Sequence, residues 1–193
     1  AQCSSGSSTV PPRCDRRRSN LEPPRAPSEA VAFRKFLKLD VANTVHSAGG
    51  RTMPRDNSGD LYPLSLSREA LRPGTVFVDP YGHLLILSQW IDQTPDASGV
   101  LFAINGEPDL SVGRKRFWRG AFLFNVDLGG GAGGFKAFRP VVMRDGVPHV
   151  LANDEIRRHR GYANYSDEQY VRTLDEYYDR VERVLNPVPV PPD

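Results

Sequence analysis

Three side chains in this sequence could together act as a nucleophile, its base and an orienting group: the thiol of Cys3, the imidazole of His83 and the carboxamide of Asn105. A thiolate is the attacking species, and an imidazole beside it stabilises the anion. His83 would take the thiol proton as general base and return it as general acid. A third polar group normally holds such an imidazole in the tautomer that the reaction needs. Asn105 is the first candidate for that role, and Asp109 is the second. His83 closes the run Asp79-Pro80-Tyr81-Gly82-His83, in which Gly82 permits close approach of backbone or substrate and Tyr81 stands beside it. Against this stands the plainer reading of a histidine at a strand edge, that of a satisfied surface or core residue.

The two cysteines, Cys3 and Cys14, carry two readings. They can close a small loop by a disulfide, as in an exported protein, or remain as two free thiols. A bridged Cys3 could attack nothing. The run Arg114-Lys115-Arg116-Phe117-Trp118-Arg119 interleaves cations with aromatics. Arg116, Trp118 and Arg119 are the candidates for the rim of a substrate groove, with Tyr81, Gly82 and Asp109 as further substrate-binding candidates, although arginine stems covering aromatic rings would leave the same basic-aromatic pattern. A net charge of +2 argues against nucleic acid as the partner. His46, His83, His149 and His159 lack the spacing of a zinc site, so no metal and no cofactor is expected. Gly129 to Gly134 reads as a flexible loop; without a following Lys-Ser or Lys-Thr it is not a phosphate-binding loop.

The elements that must position these groups are read from composition and periodicity. Residues 1–28, rich in Ser, Pro and Arg, read as an irregular arm. Residues 29–186 read as one α+β domain, and 187–193 as a Pro-rich tail. Ser28 can cap a helix carrying Phe33, Leu37, Val41 and Val45 at spacing four, stopped by Gly49-Gly50. Strands are expected at 75–78, at 84–91 (apolar on both faces), at 100–105 and at 121–126, with an edge strand over 138–143. A final helix is expected to start at a capping box of Ser166 and Gln169, with a core stripe of Tyr170, Leu174, Tyr177, Val181 and Val184. No apolar run reaches the ~20 residues of a membrane-spanning helix.

The order Cys3-Ser4-Ser5-Gly6, helix, polar connector, Leu71-Arg72-Pro73-Gly74-Thr75-Val76-Phe77, turn, then Gly82-His83 entering an apolar strand resembles the NlpC-type cell-wall peptidases and the related CHAP-type amidases. The likeness covers roughly residues 3–105. Thr75 stands where those families have Asp after Pro-Gly, and a Pro-rich insertion separates Cys3 from the helix that the nucleophile should head. The resemblance implies a papain-like fold, with an N-terminal helix packed on a small antiparallel sheet and a C-terminal amphipathic helix. It implies a thiol hydrolase acting on an amide, with a peptide or peptidoglycan-like substrate, and a periplasmic or secreted location. The rival expectations are a non-catalytic domain that binds peptide or glycan on the same scaffold, and a fragment whose nucleophile lies before Ala1.

Overall fold

The computed structural model describes residues 28–42, 46–107, 109, 111–125, 131–159 and 161–189. Its layout is α+β: an N-terminal helix, a central antiparallel sheet and C-terminal helices. Helix α1 (Glu29–Phe36) starts where Ser28 Oγ accepts the Val31 N–H, and it continues as a π-helical turn over Leu37–Val41. None of its residues is buried. A short 3-10 turn, Ser47–Gly50, comes next. The strands are β1 (Leu61–Pro63), β2 (Val76–Val78), β3 (Leu84–Ile91), β4 (Val100–Gly106), β5 (Val112–Arg116), β6 (Gly134–Phe138), β7 (Val141–Arg144) and β8 (Val147–Val150). The first six form one antiparallel sheet in the order β1-β6-β2-β3-β4-β5, and β7 and β8 pair as a separate ribbon. Helices α2 (Asn153–Arg158) and α3 (Leu174–Leu185) complete the described chain.

The main core lies on one face of the large sheet. Phe77, Leu85, Leu87, Leu101, Ala103 and Phe135 point there and meet Tyr177, Tyr178, Val181 and Leu185 of α3. Burying each large apolar side chain contributes about 1.5–3 kcal/mol, so α3 is held by its buried face more than by helix propensity. It begins later than the sequence pattern suggests. Thr173 and Glu176 form the capping box, while Ser166 caps only a preceding turn by accepting the Glu168 N–H. The buried stripe is also rotated, with Leu174 exposed and Tyr178 and Leu185 buried.

Two strand expectations need correction. Residues 121–125 are irregular: Phe122 and Phe124 enter the core as a loop. Tyr178 explains this, because its hydroxyl donates to the Phe122 carbonyl and accepts the Phe124 N–H, replacing ladder bonds. Phe124 stacks on Tyr177 with ring centroids 3.7 Å apart. The other correction concerns the expected edge strand over 138–143. The chain instead enters an interior position as β6, pairing with both β1 and β2, before Arg139-Pro140 breaks it from β7. On β3 the predicted bounds hold, but a bulge between Leu87 and Gln89 reverses the facing of the residues beyond it. Trp90 therefore packs against the main core while Ile91 is partly exposed.

Two buried polar side chains pin β6 in place. Gln169 donates to the Leu64 and Phe135 carbonyls and accepts the Phe135 N–H. On the sheet face opposite Phe135, Lys136 Nζ lies 2.7–3.0 Å from Gly50 O, Thr52 O, Thr52 Oγ1 and Ala132 O, four acceptors that share its three hydrogens. This gathers the 50–52 segment and the end of the glycine run around one ammonium. The described part of that run is packed: a Cβ at Gly131 would lie 2.2 Å from Arg51 O, and one at Gly133 would lie 2.7 Å from Val78 O.

Burial pushes the Lys136 pKa down to about 7, with Asp56 pulling the other way. Between that value and the ordinary 10.5, an unfolded chain binds a proton that the folded chain does not, so stability rises with pH through that window. Lys136→Met should cost about 2–4 kcal/mol by leaving buried carbonyls without a donor. Urea unfolding at pH 7 to about 9 should also show that the substitution flattens the wild-type rise; an unchanged slope would mean that the lysine keeps its ordinary proton affinity.

Candidate functional site

The turn before β3 is built by Asp79. Its Oδ1 accepts the Tyr81 and His83 N–H groups, each at 2.8 Å, and its backbone N–H donates to His83 O. Gly82 N–H closes the turn on Asp79 O with φ +87°, a conformation costly for residues with a Cβ. Arg51 Nη1 donates to Pro80 O and braces the turn from the 50–52 segment. His83 thus enters β3 with its backbone fixed on both sides.

Alternation then decides what His83 meets. Ile86 pairs with Ile104 and Leu87 with Ala103; continuing the antiparallel count puts Leu85 opposite Asn105 and His83 opposite Glu107. Leu85 and His83 share a face, so the ring leans diagonally onto Asn105. Asn105 Nδ2 lies 2.8 Å from His83 Nε2 and donates to Glu107 Oε1 at 2.6 Å. Asn105 is only 4% exposed, and its Oδ1 has no hydrogen-bond partner among the described residues. On the next strand Gly113 is the register partner of Asn105, and a Cβ there would lie 2.5 Å from Oδ1. The amide therefore occupies space that only glycine leaves open.

Glu107 sets the orientation of this amide. An ionised carboxylate only accepts, so the amide nitrogen must face it. The reversed amide would set two acceptor oxygens 2.6 Å apart and lose a charge-assisted bond of about 1.5–3 kcal/mol. Facing the same nitrogen, Nε2 of a neutral ring accepts and the ring hydrogen sits on Nδ1. Lys115 Nζ lies 3.7 Å from Glu107 Oε1, with both side chains partly exposed, a pair worth about 0–1 kcal/mol.

Of the sequence candidates, the structure brings together His83, Asn105, Gly82 and Tyr81, the last 81% exposed on the turn. Asp109 is bonded elsewhere, accepting the Ser111 N–H and hydroxyl, which hold its carboxyl below the usual range. Arg116 pairs with Phe102, about 10 Å along β4 from Asn105 at ~3.4 Å per residue, and Trp118 and Arg119 lie farther toward that end of the sheet. There Arg116 and Trp118 border a groove with Val100 and Glu182. Arg119 is clasped by Asp175 and Asp179 of α3 and lies over Tyr178. The basic run is thus divided: Arg114 covers Phe102, and Lys115, on the opposite strand face, meets Glu107. Cys3 and Cys14 lie outside the described residues.

Two residues that shape this contact escape a reading of the sequence: Glu107, lost in a turn-like stretch, and Asp79, whose role as a side-chain clamp of the turn is hinted at by Asp-Pro before Gly. Elsewhere, His149 is paired with Glu155, whose carboxyl is pulled down to about 2 by the Ala152 N–H, Arg144 and His149. Gly113→Ala should push the amide off the ring and cost about 1–3 kcal/mol. Chemical denaturation checks the cost, and displaced His83 ring resonances check the geometry; unshifted resonances would mean that the amide does not rest against Gly113.

Comparison with family models, with curated proteins and with solved structures finds no match to this chain.

Proposed function

We propose that the chain is a papain-like thiol hydrolase that cleaves an amide bond in a peptide of the peptidoglycan type. Cys3 would be its nucleophile, His83 its base and acid, and Asn105 its orienting group. The observation that supports this reading is the buried carboxamide of Asn105 set 2.8 Å from one nitrogen of His83. Among the described residues nothing bonds the other ring nitrogen, which leaves it for a thiol. The resemblance of Cys3-Ser4-Ser5-Gly6, Leu71-Arg72-Pro73-Gly74 and Gly82-His83 to the NlpC-type and CHAP-type enzymes points the same way. The stretch from Cys3 to Ser28 can span about 80 Å when extended, so chain length does not keep the thiol from the ring.

The chemistry runs in two halves. His83 Nδ1 takes the Cys3 proton while the sulfur attacks the carbonyl carbon and a C–S bond forms. The C–N bond then breaks as Nδ1 returns that proton to the departing amine, leaving a thioester. Water, deprotonated by the same nitrogen, cleaves the thioester and restores the thiol. Throughout, Nε2 must carry a hydrogen and donate it to the Asn105 oxygen, as in any imidazole that works through its other nitrogen.

The test is release of amine from peptidoglycan fragments and from a chromogenic peptide amide, with the protein kept reduced. Cys3→Ala and His83→Ala should each lower kcat/KM by about 10²–10⁴, and Asn105→Ala by a smaller factor. Activity untouched by Cys3→Ala or His83→Ala, or no hydrolysis by the reduced wild type, would overturn the proposal and leave a binding domain or a piece lacking its nucleophile.

A further inference from the structure

We infer that Glu107 is a positioning residue and a brake: its carboxylate turns the Asn105 amide nitrogen toward His83 and so holds the ring in the Nδ1–H form. The meaning of the brake rests on the thiol-hydrolase reading, whereas the tautomer does not.

One nitrogen atom carries the effect. Asn105 Nδ2 has two hydrogens, and both are placed, one toward His83 Nε2 at 2.8 Å and one toward Glu107 Oε1 at 2.6 Å. The oxygen of the same amide is buried over Gly113 with no partner among the described residues, so nothing there holds the amide in this sense. The carboxylate does. A carboxylate has no hydrogen to offer, and a neutral imidazole facing an N–H can only accept. The ring hydrogen is then on Nδ1, the side open to a thiol. A base at Nδ1 needs the reverse: a bare Nδ1, a hydrogen on Nε2 and the amide oxygen facing it. While Glu107 is ionised and bonded to Asn105, the ring is a donor. It becomes a base when the carboxylate lets the amide turn.

The structure also supplies a competitor for that carboxylate. Lys115 Nζ is 3.7 Å from the same Oε1, on the strand that carries Gly113. The third charged group near the ring, Asp79, has its Oδ1 occupied by the Tyr81 and His83 N–H groups. Glu107 drawn to Lys115 therefore frees the amide, and Glu107 drawn to Asn105 locks it.

The experiment reads the hydrogen directly. In the full chain carrying Cys3→Ala, so that no Cys3 thiolate shares the ring proton, long-range proton–nitrogen NMR spectra report which His83 nitrogen is protonated. They are recorded in mildly alkaline buffer, where the same spectra show that the ring is neutral. His83→Asn identifies the signals. With Glu107 present, Nδ1–H should exceed Nε2–H by about tenfold or more, as one charge-assisted hydrogen bond allows. Glu107→Gln, which can offer either a donor or an acceptor, and Glu107→Leu, which offers neither, should each bring the ratio to about one or below. A predominance of Nε2–H with Glu107 present, or one ratio in all three proteins, would overturn the inference. A ratio indifferent to residue 107 ends the brake and leaves thiol-dependent hydrolysis standing. A chain with no such hydrolysis ends the enzyme reading and leaves the tautomer as measured.

Discussion

The pairing of β3 with β4 is the constraint on which the rest depends. Leu85 and Leu87 on one strand and Leu101 and Ala103 on the other must all face α3, and each is at most 2% exposed. A slip of one residue would turn these side chains to the opposite face, at about 1.5–3 kcal/mol for each large one. The core therefore fixes the register far more firmly than the few polar atoms at its end could. His83 and Asn105 are carried along by that register, as the next members of the same two rows. The contact between them is a consequence of apolar packing that neither residue supplies.

A second constraint acts from the far side. β6 comes late in the chain yet lies between β1 and β2, so its ladder depends on contacts of high sequence separation. Gln169 holds it through the Phe135 backbone beside Leu64, and Lys136 from the face opposite Phe135. Both are buried polar groups whose desolvation is offset only because each finds several partners. Lys136 also determines where the 50–52 segment sits, and Arg51 in that segment reaches the carbonyl of Pro80. The turn that launches His83 is thus braced through β6 as well as by its own Asp79.

Much of this is legible in the sequence alone. The bounds of β3 and β4 follow from largely apolar runs between turn residues, and they place Asn105 at a strand end near His83. The 121–125 stretch misleads because an alternating run with two phenylalanines reads as strand, whereas the Tyr178 hydroxyl satisfies its backbone as a loop. Such a partner, more than fifty residues away, leaves no local trace. The basic run misleads for a related reason: contiguity suggests one patch, but strand alternation and the α3 carboxylates divide it. Glu107 is invisible in the sequence because its role depends on register, two residues beyond Asn105 and opposite His83.

The position of the site at the end of the sheet also explains why its polar groups can be finely balanced. A carboxylate bonded to an amide deep in a core would have no alternative, and the arrangement would be permanent. Glu107 is at the rim, where water and Lys115 compete for it and an exposed ion pair is worth little. The Asn105 amide is buried, so its bonds weigh more than those of Glu107 to solvent. One partner fixed and the other nearly free gives a contact that holds the imidazole firmly in place while leaving its proton pattern open to change. The core sets where the ring is; the rim sets which of its nitrogens carries the hydrogen.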